Sequence, residues 1–267
     1  MTRLKRMASN SSKNIDHGNY VPSAVAPGLT IEDGGHLRRL YVLAPDGLSG
    51  LAAGETAGQT GIQFSSPANI PAHFILGADA SLDLTVIVLP GISASVPLTI
   101  DLTGEHSEVR LSGIYLCGGK DEVSFDITMH HRRGGCTSSQ TFNGLAADEA
   151  RCGFFGKIVI APDAQRTEAC QENHNILLSE SARVNTKPRL EIYADDVKCS
   201  HGATVGKLNE DEQFYMRSRG IPEEEAKVLQ MISFVAPVLE SIPEETTDGS
   251  PCRSTVADLV ENAIRSL

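Results

Sequence analysis

With 267 residues and 40 % hydrophobic content, the chain can hold one large domain or two modest ones around a proper core. Aromatics are only 5 % and Trp is absent, so that core is mostly aliphatic, and a formal net charge of −11 argues against a general binder of nucleic acid or of an anionic membrane. No apolar run reaches the roughly 18 residues that span a bilayer.

The basic start, MTRLKRMASNSSKN, has no apolar segment behind it and is not a secretory signal. Six cysteines, at 117, 136, 152, 170, 199 and 252, form no CxxC pair, so reduced thiols in the cytoplasm are expected. Residues 1–35 are polar with little periodicity and read as an irregular lead-in.

From His36 to about Gly206 the pattern is strand, corner, strand. LRRLYVLA, HFILGA, LDLTVIVLP, VPLTIDLTG, SEVRLSGIYLCGG, EVSFDITMHHR, GFFGKIVIAPDAQ and RLEIYADDVKCSHG are the clearest strands. Many alternate with period two, as Val96, Leu98, Ile100 and Leu102 do on one face and Val109, Leu111 and Gly113 in the next strand. No helical pattern of ten or more residues separates them, so a βαβ sheet is excluded and a sandwich, a barrel or a β-solenoid remains. Hairpin dipeptides are scarce, Asn143-Gly144 being the only one of its type. Short strands joined by corners, as in a parallel β-helix, fit better, although no fixed-length repeat is visible.

Residues 207–267 read as helical. Asn209 and Glu212 form a capping-box-like pair at the start of a first helix, which Gly220 should end in the left-handed C′ conformation. Pro222 suits the first turn of a second helix, where Glu223, Glu224 and Glu225 complement the dipole. Leu229, Ile232, Ala236 and Leu239 make its apolar stripe, and Pro237 should kink or shorten it. TTDGSP reads as a linker, and Val256, Leu259, Val260, Ala263, Ile264 and Leu267 mark a final amphipathic helix. Between Lys207 and Gly249 stand four basic and ten acidic residues, so this unit offers either a solvated face or a docking surface for a basic partner.

Few residues suggest chemistry. Asp195-Asp196 could pass for a glycosidase pair, but neighbours on a strand point to opposite faces, so a polar corner is the plainer account. Cys199 and His201 share one face if this segment is a strand; a buried Cys beside a hydrogen-bonded His is the plainer account, and half of a zinc or iron site, with the remaining ligands from elsewhere, the sharper one. His130-His131 reads as a polar corner, and His174, between Asn173 and Asn175, as a turn or part of an asparagine ladder. No phosphate-binding loop is present, so the chain is not expected to hydrolyse ATP, and no nucleophile elbow or zinc-protease motif appears either.

The stretch AQRTEACQENHNILLSESARVNTKPRLEIYADDVKCSHGATVGKLNEDEQFYMRSRGIPEEEA resembles the core of the SufB/SufD family of iron–sulfur cluster assembly proteins. LEIYADDVKCSHGATVG followed by FYMRSRGI is similar to the SufD branch, whereas SufB has glutamates flanking its histidine where this chain has Cys199-Ser200-His201-Gly202. The resemblance implies a mainly β fold, a right-handed parallel β-helix over 36–206 followed by a small α-helical domain over 207–267. It also implies a non-catalytic subunit that pairs with SufB through the β-helix and binds the ABC-type ATPase SufC through its C-terminal helices. Phe214, Tyr215, Arg217, Arg219, Gly220, Ile221 and Leu229 fall in the segment matching the docking region. His201 matches a histidine at the SufB interface, with Cys199 beside it. No cofactor is expected in the isolated chain, and iron or an iron–sulfur cluster only transiently in the complex. Relative to the family pattern most of an N-terminal helical region is missing. A stand-alone metal-binding homodimer is the main alternative, and a β-helix polysaccharide lyase or hydrolase the weaker one.

Overall fold

The computed structural model describes residues 28–45, 62–64 (backbone only), 69–246 and 249–267. Most of the expected lead-in lies outside these residues, but its end forms a strand, β1 (Leu29–Ile31). The rest of the β part comprises β2 (His36–Leu43), β3 (Ile62–Phe64), β4 (His73–Leu76), β5 (Ser81–Val88), β6 (Ala94–Leu102), β7 (Glu108–Cys117), β8 (Glu122–His131), β9 (Thr137–Ala146), β10 (Arg151–Ile160), β11 (Thr167–Leu177), β12 (Arg183–Ile192) and β13 (Val197–Gly206). Three helices follow: α1 (Glu210–Ser218), α2 (Glu223–Ser241) and α3 (Arg253–Ile264).

From β4 onward successive strands alternate between two sheets, ordered β1-β4-β6-β8-β10-β12 and β13-β11-β9-β7-β5-β2-β3, and every ladder is parallel. This is a flattened parallel β-solenoid, each turn giving one strand to each sheet. The registers show why no repeat is legible in the sequence. Thr137 lies opposite Glu108 and Glu168 opposite Thr137, offsets of 29 and 31 residues, while Arg183 lies opposite Arg151, an offset of 32. Corner length varies while strand length stays near ten.

Alternation decides which side chains fill the interior. In β8, Val123, Phe125, Ile127, Met129 and His131 are buried, while Ser124, Asp126, Thr128 and His130 point outward. Four rings stack through successive turns: Tyr115–Phe125 at 5.6 Å, Phe125–Phe142 at 5.0 Å and Phe142–Phe154 at 5.0 Å between centroids. Corners demand positive φ. Asp79 (54°), His106 (57°) and Arg166 (58°) take it at one corner of their turns, and Gly135 (70°) takes it in the turn between the last two.

The C-terminal halves of β2, β5, β7 and β9 in the seven-stranded sheet are buried on both faces. Leu40, Val42, Ile87, Ile114, Leu116 and Leu145 lie on the sheet's outer side beneath Val228, Met231, Val235 and Val238 of α2 and Val256, Val260 and Ile264 of α3. That accounts for uninterrupted apolar runs such as GIYLC in β7, which a sheet with one wet face would not need. Arg265 clamps the two helices with a bidentate pair to Glu225 at 2.8 and 3.0 Å.

Several local expectations are corrected. β9 and β11 are strands that polar composition disguised, and Asn143-Gly144 lies inside β9 rather than at a hairpin. His130 and His131 end β8 instead of forming a corner. Glu212 does not close the capping box: Asn209 accepts from the backbone N–H groups of Asp211 and Glu212, but the Glu212 carboxylate accepts from Gln230. Pro222 is the N-cap of α2, just outside the first turn, and Pro237 does not shorten α2, which runs on to Ser241. In that region the Asn143 side-chain amide donates to Phe234 O. Of the TTDGSP stretch, 247–248 lie outside the described residues. On either side of them Thr246 N–H donates to Ser250 O at 2.8 Å, next to a bridge between Glu245 and Pro251.

Candidate functional site

Two surfaces concentrate the exposed apolar side chains: Ile192, Tyr193 and Val205 at the last turn of the solenoid, and Phe214, Tyr215 and Leu229 on α1 and α2. Each follows from where the fold stops.

Among the described residues β12 pairs only with β10 and β13 only with β11, so within these residues the final turn presents two free strand edges with unpaired backbone groups. Residues whose counterparts one turn earlier are buried here face an open mouth. Val205 stands over Asn175 and is 44 % exposed, whereas Asn175 is 2 % exposed. Cys199 and His201 lie in this row, opposite Ala169 and Gln171. Cys199 is half-buried against the interior core, and His201 is exposed with no hydrogen bond among the described residues. Burial pushes the Cys199 thiol above its ordinary pKa, only partly offset by the Ala169 backbone, so near neutral pH it stays protonated.

Beneath His201 lies a polar column. Gln171 donates its Nε2 to Gln140 Oε1 at 3.0 Å, and both are buried. Gln171 Oε1 and Gln140 Nε2 have no partner among the described residues. Asn173, Asn175 and Tyr115 form a neighbouring, satisfied cluster in which Asn173 Nδ2 donates to Tyr115 at 3.0 Å and Tyr115 donates to Asn175 Oδ1. Asn173 and Asn175 thus form an internal asparagine pair, joined at 2.8 Å, while His174 points outward to Thr204 at 2.9 Å. Asp195 and Asp196 are both exposed in the corner between β12 and β13.

Among the described residues no group of three or more His, Cys, Asp or Glu side chains could hold a metal. Cys199 and His201 are suitable soft and borderline donors on one face, but among the described residues no third or fourth ligand of those types reaches them.

At the second surface α1 and α2 meet through a Schellman turn. Gly220 takes φ 89°, its N–H donates to Arg217 O at 3.0 Å, and Ile221 N–H donates to Met216 O at 3.2 Å. The geometry turns α1 so that none of its residues is buried. Phe214 is 71 % and Tyr215 60 % exposed. Arg219 stacks over the Tyr215 ring at 5.4 Å, and Arg217 reaches Glu223 at 3.5 Å. A cleft of about 660 Å³ opens between α1, α2 and the end of β11, lined by Ile176, Leu208, Tyr215, Met216, Leu229 and Phe234 among others. Ile176, Leu208, Met216 and Phe234, like the interior glutamines, were not singled out from the sequence. The glutamines' signal was parity, for Gln140 and Gln171 occupy inward positions of alternating strands.

The chain matches the family model described as SUF system FeS cluster assembly, SufBD core domain, over residues 68–234. It is 35 % identical over 171 residues to the iron–sulfur cluster assembly protein SufD of Escherichia coli, covering 64 % of this chain and 40 % of that protein. It is 42 % identical over 123 residues to a SufBD family protein of Synechocystis sp., 46 % of this chain and 27 % of the relative. Against the chloroplastic protein ABCI7 of Arabidopsis thaliana the identity is 32 % over 169 residues, 62 % of this chain and 35 % of the relative. The matched segments thus span well under half of each relative's length.

Proposed function

The chain belongs to the SufBD family of SUF-system iron–sulfur cluster assembly proteins, and from that membership we propose that it serves as a SufD-like, non-catalytic subunit of the assembly complex. In this reading the α1–α2 surface docks a SufC-like ABC ATPase, and the open end of the solenoid pairs with a SufB-like paralogue. Cys199 and His201 form one wall of a shared site for iron or a nascent cluster, which is cargo rather than a resident group. The partner supplies the missing ligands. A cytoplasmic location belongs to the same reading; no helix among the described residues is long and apolar enough to cross a membrane.

The observation that carries this reading is the separation of two unfinished surfaces. One is an apolar pair of free strand edges beside the Cys199–His201 row, and the other is an exposed aromatic helix over a cleft. Free edges favour strand addition, with main-chain hydrogen bonds giving affinity. Phe214 and Tyr215 are the large anchors that an interface core uses.

Co-purification tests both surfaces. Truncation at Gly206 is unsuitable, because it would bare the apolar patch from Leu40 to Leu145 that α2 and α3 cover. Instead, Phe214→Asp with Leu229→Asp should abolish capture of the ATPase and leave the paralogue bound. Ile192→Lys with Val205→Lys should do the reverse. Capture of both partners by both variants would refute the assignment. A homodimer that persists in excess paralogue, and is lost in the Ile192→Lys/Val205→Lys protein, would favour the stand-alone dimer.

A further inference from the structure

The polar column under the open mouth has one loose end. Gln171 reaches across the solenoid interior: a Cβ on Gly156 would lie 1.9 Å from its Nε2, so the amide occupies the space that a side chain on β10 would otherwise fill. Gln140 Oε1 accepts from that Nε2. The remaining atom, Gln171 Oε1, is fully buried and accepts nothing. Buried carbonyl oxygens are seldom left so, because they have lost water without gaining a donor. The next turn stacks two residues on this layer, His201 over Gln171 and Pro188 over Gly156. Proline offers no donor, whereas His201 has a ring N–H with no hydrogen bond of its own.

We propose that Gln171 is a positioning residue for His201: the imidazole turns inward, donates one ring N–H to the buried Gln171 Oε1, and presents its other nitrogen, unprotonated, to the mouth. The turn is a rotation of an exposed side chain, which takes picoseconds to nanoseconds. The hydrogen bond then selects one tautomer, as carboxylates and carbonyls do for metal-binding histidines generally. Gln140 acts one step further in by holding the Gln171 amide. The inference rests on the reading of His201 as one wall of a shared metal site, but the hydrogen bond itself requires no metal.

The test reads the tautomer directly. In the full-length chain with ¹⁵N-labelled histidine, long-range proton–nitrogen correlations give the tautomer populations of each ring, and His201→Ala assigns the signal. The wild-type His201 should depart from the populations of a solvent-exposed histidine. Gln171→Met should restore those populations, and Gln171→Glu, which keeps an acceptor, should not. If Gln171→Met folds poorly, Gln140→Met/Gln171→Met removes both orphan amide atoms and should give the same result. Wild-type populations equal to those of an exposed histidine, or unchanged in the Met variants, would overturn the proposal. In the complex with the SufB-like paralogue, where cobalt(II) binding depends on His201, the Gln171→Met protein should bind it about 10-fold or more weakly than wild type, and equal affinity would then also overturn it. Cobalt that binds wild type no better than His201→Ala would defeat the shared-site reading alone, since the tautomer result stands without it.

Discussion

Asn143 ties the helical layer to the solenoid, and replacing it by aspartate should show how. Its side chain is 4 % exposed on the outer face of β9, between Ile114 of β7 and the underside of α2. The Nδ2 group donates to Phe234 O, and Oδ1 has no partner among the described residues. Asn143→Asp puts an acceptor against an acceptor and a charge among apolar groups. Losing a buried hydrogen bond costs about 1 kcal/mol, and holding a carboxylate in this pocket raises the total to about 2–4 kcal/mol at neutral pH. Asn143→Leu removes both polar atoms, including the orphan oxygen, and should cost about 1 kcal/mol or less. The introduced carboxyl would have a folded-state pKa above its unfolded value of about 3.9. The native state therefore binds its proton more tightly, so the penalty is full above the folded value and vanishes as pH falls below about 4, where the protonated group can donate to Phe234 O. Urea unfolding of wild type and both variants, compared at pH 7.5 and pH 4, measures each difference at matched pH. A cost for Asn143→Leu equal to that of Asn143→Asp, or an Asp penalty independent of pH, would refute this account.

Three further outcomes follow from single contacts. Burial depresses the pKa of His131 to about 4, with His130 adding to the effect. The unfolded chain takes up that proton first, so stability should be full above about pH 6.5 and fall by about 3 kcal/mol as pH drops to 4. His131→Leu should flatten that segment of the profile, and an unchanged slope would exclude the residue as its source. A Cβ on Gly113 would lie 2.3 Å from Phe142 Cε1, and the Phe142 ring is held between Phe125 and Phe154. Gly113→Ala should cost about 1–3 kcal/mol, and combined with Phe142→Leu the loss should be at least about 1 kcal/mol less than the sum, so additivity would count against the clash. Arg166 is exposed and holds φ 58°, so Arg166→Gly should raise stability by up to about 1 kcal/mol in thermal unfolding. A lower melting temperature would mean that its side chain contributes more than the strain costs.

Strands with aliphatic alternation were legible residue by residue. EVSFDITMHH shows its inward row as Val, Phe, Ile and Met. TSSQTFNGLA and TEACQENHNIL hid theirs, because interior positions of a solenoid need only fit the layer between two sheets. There Gln140 and Gln171 bond each other and Asn173 and Asn175 meet Tyr115, so polar residues serve as core. The cap at Asn209 and the left-handed Gly220 were readable because both are local backbone requirements. Glu212 was misread because its partner, Gln230, stands 18 residues on.

By itself the sequence determined the strand-and-corner character, the helical end, the resemblance to the SufB/SufD core, and Cys199 and His201 as neighbours on one face. All of these are local, set by side-chain period, turn chemistry and short motifs. Only the tertiary structure decided that β13 is a last turn with a free edge, that α2 and α3 cover one sheet and leave α1 exposed, and that a buried amide with a spare oxygen lies under His201. These depend on which residues about thirty positions apart stack in register, and on where the stacking ends, so no local pattern can carry them.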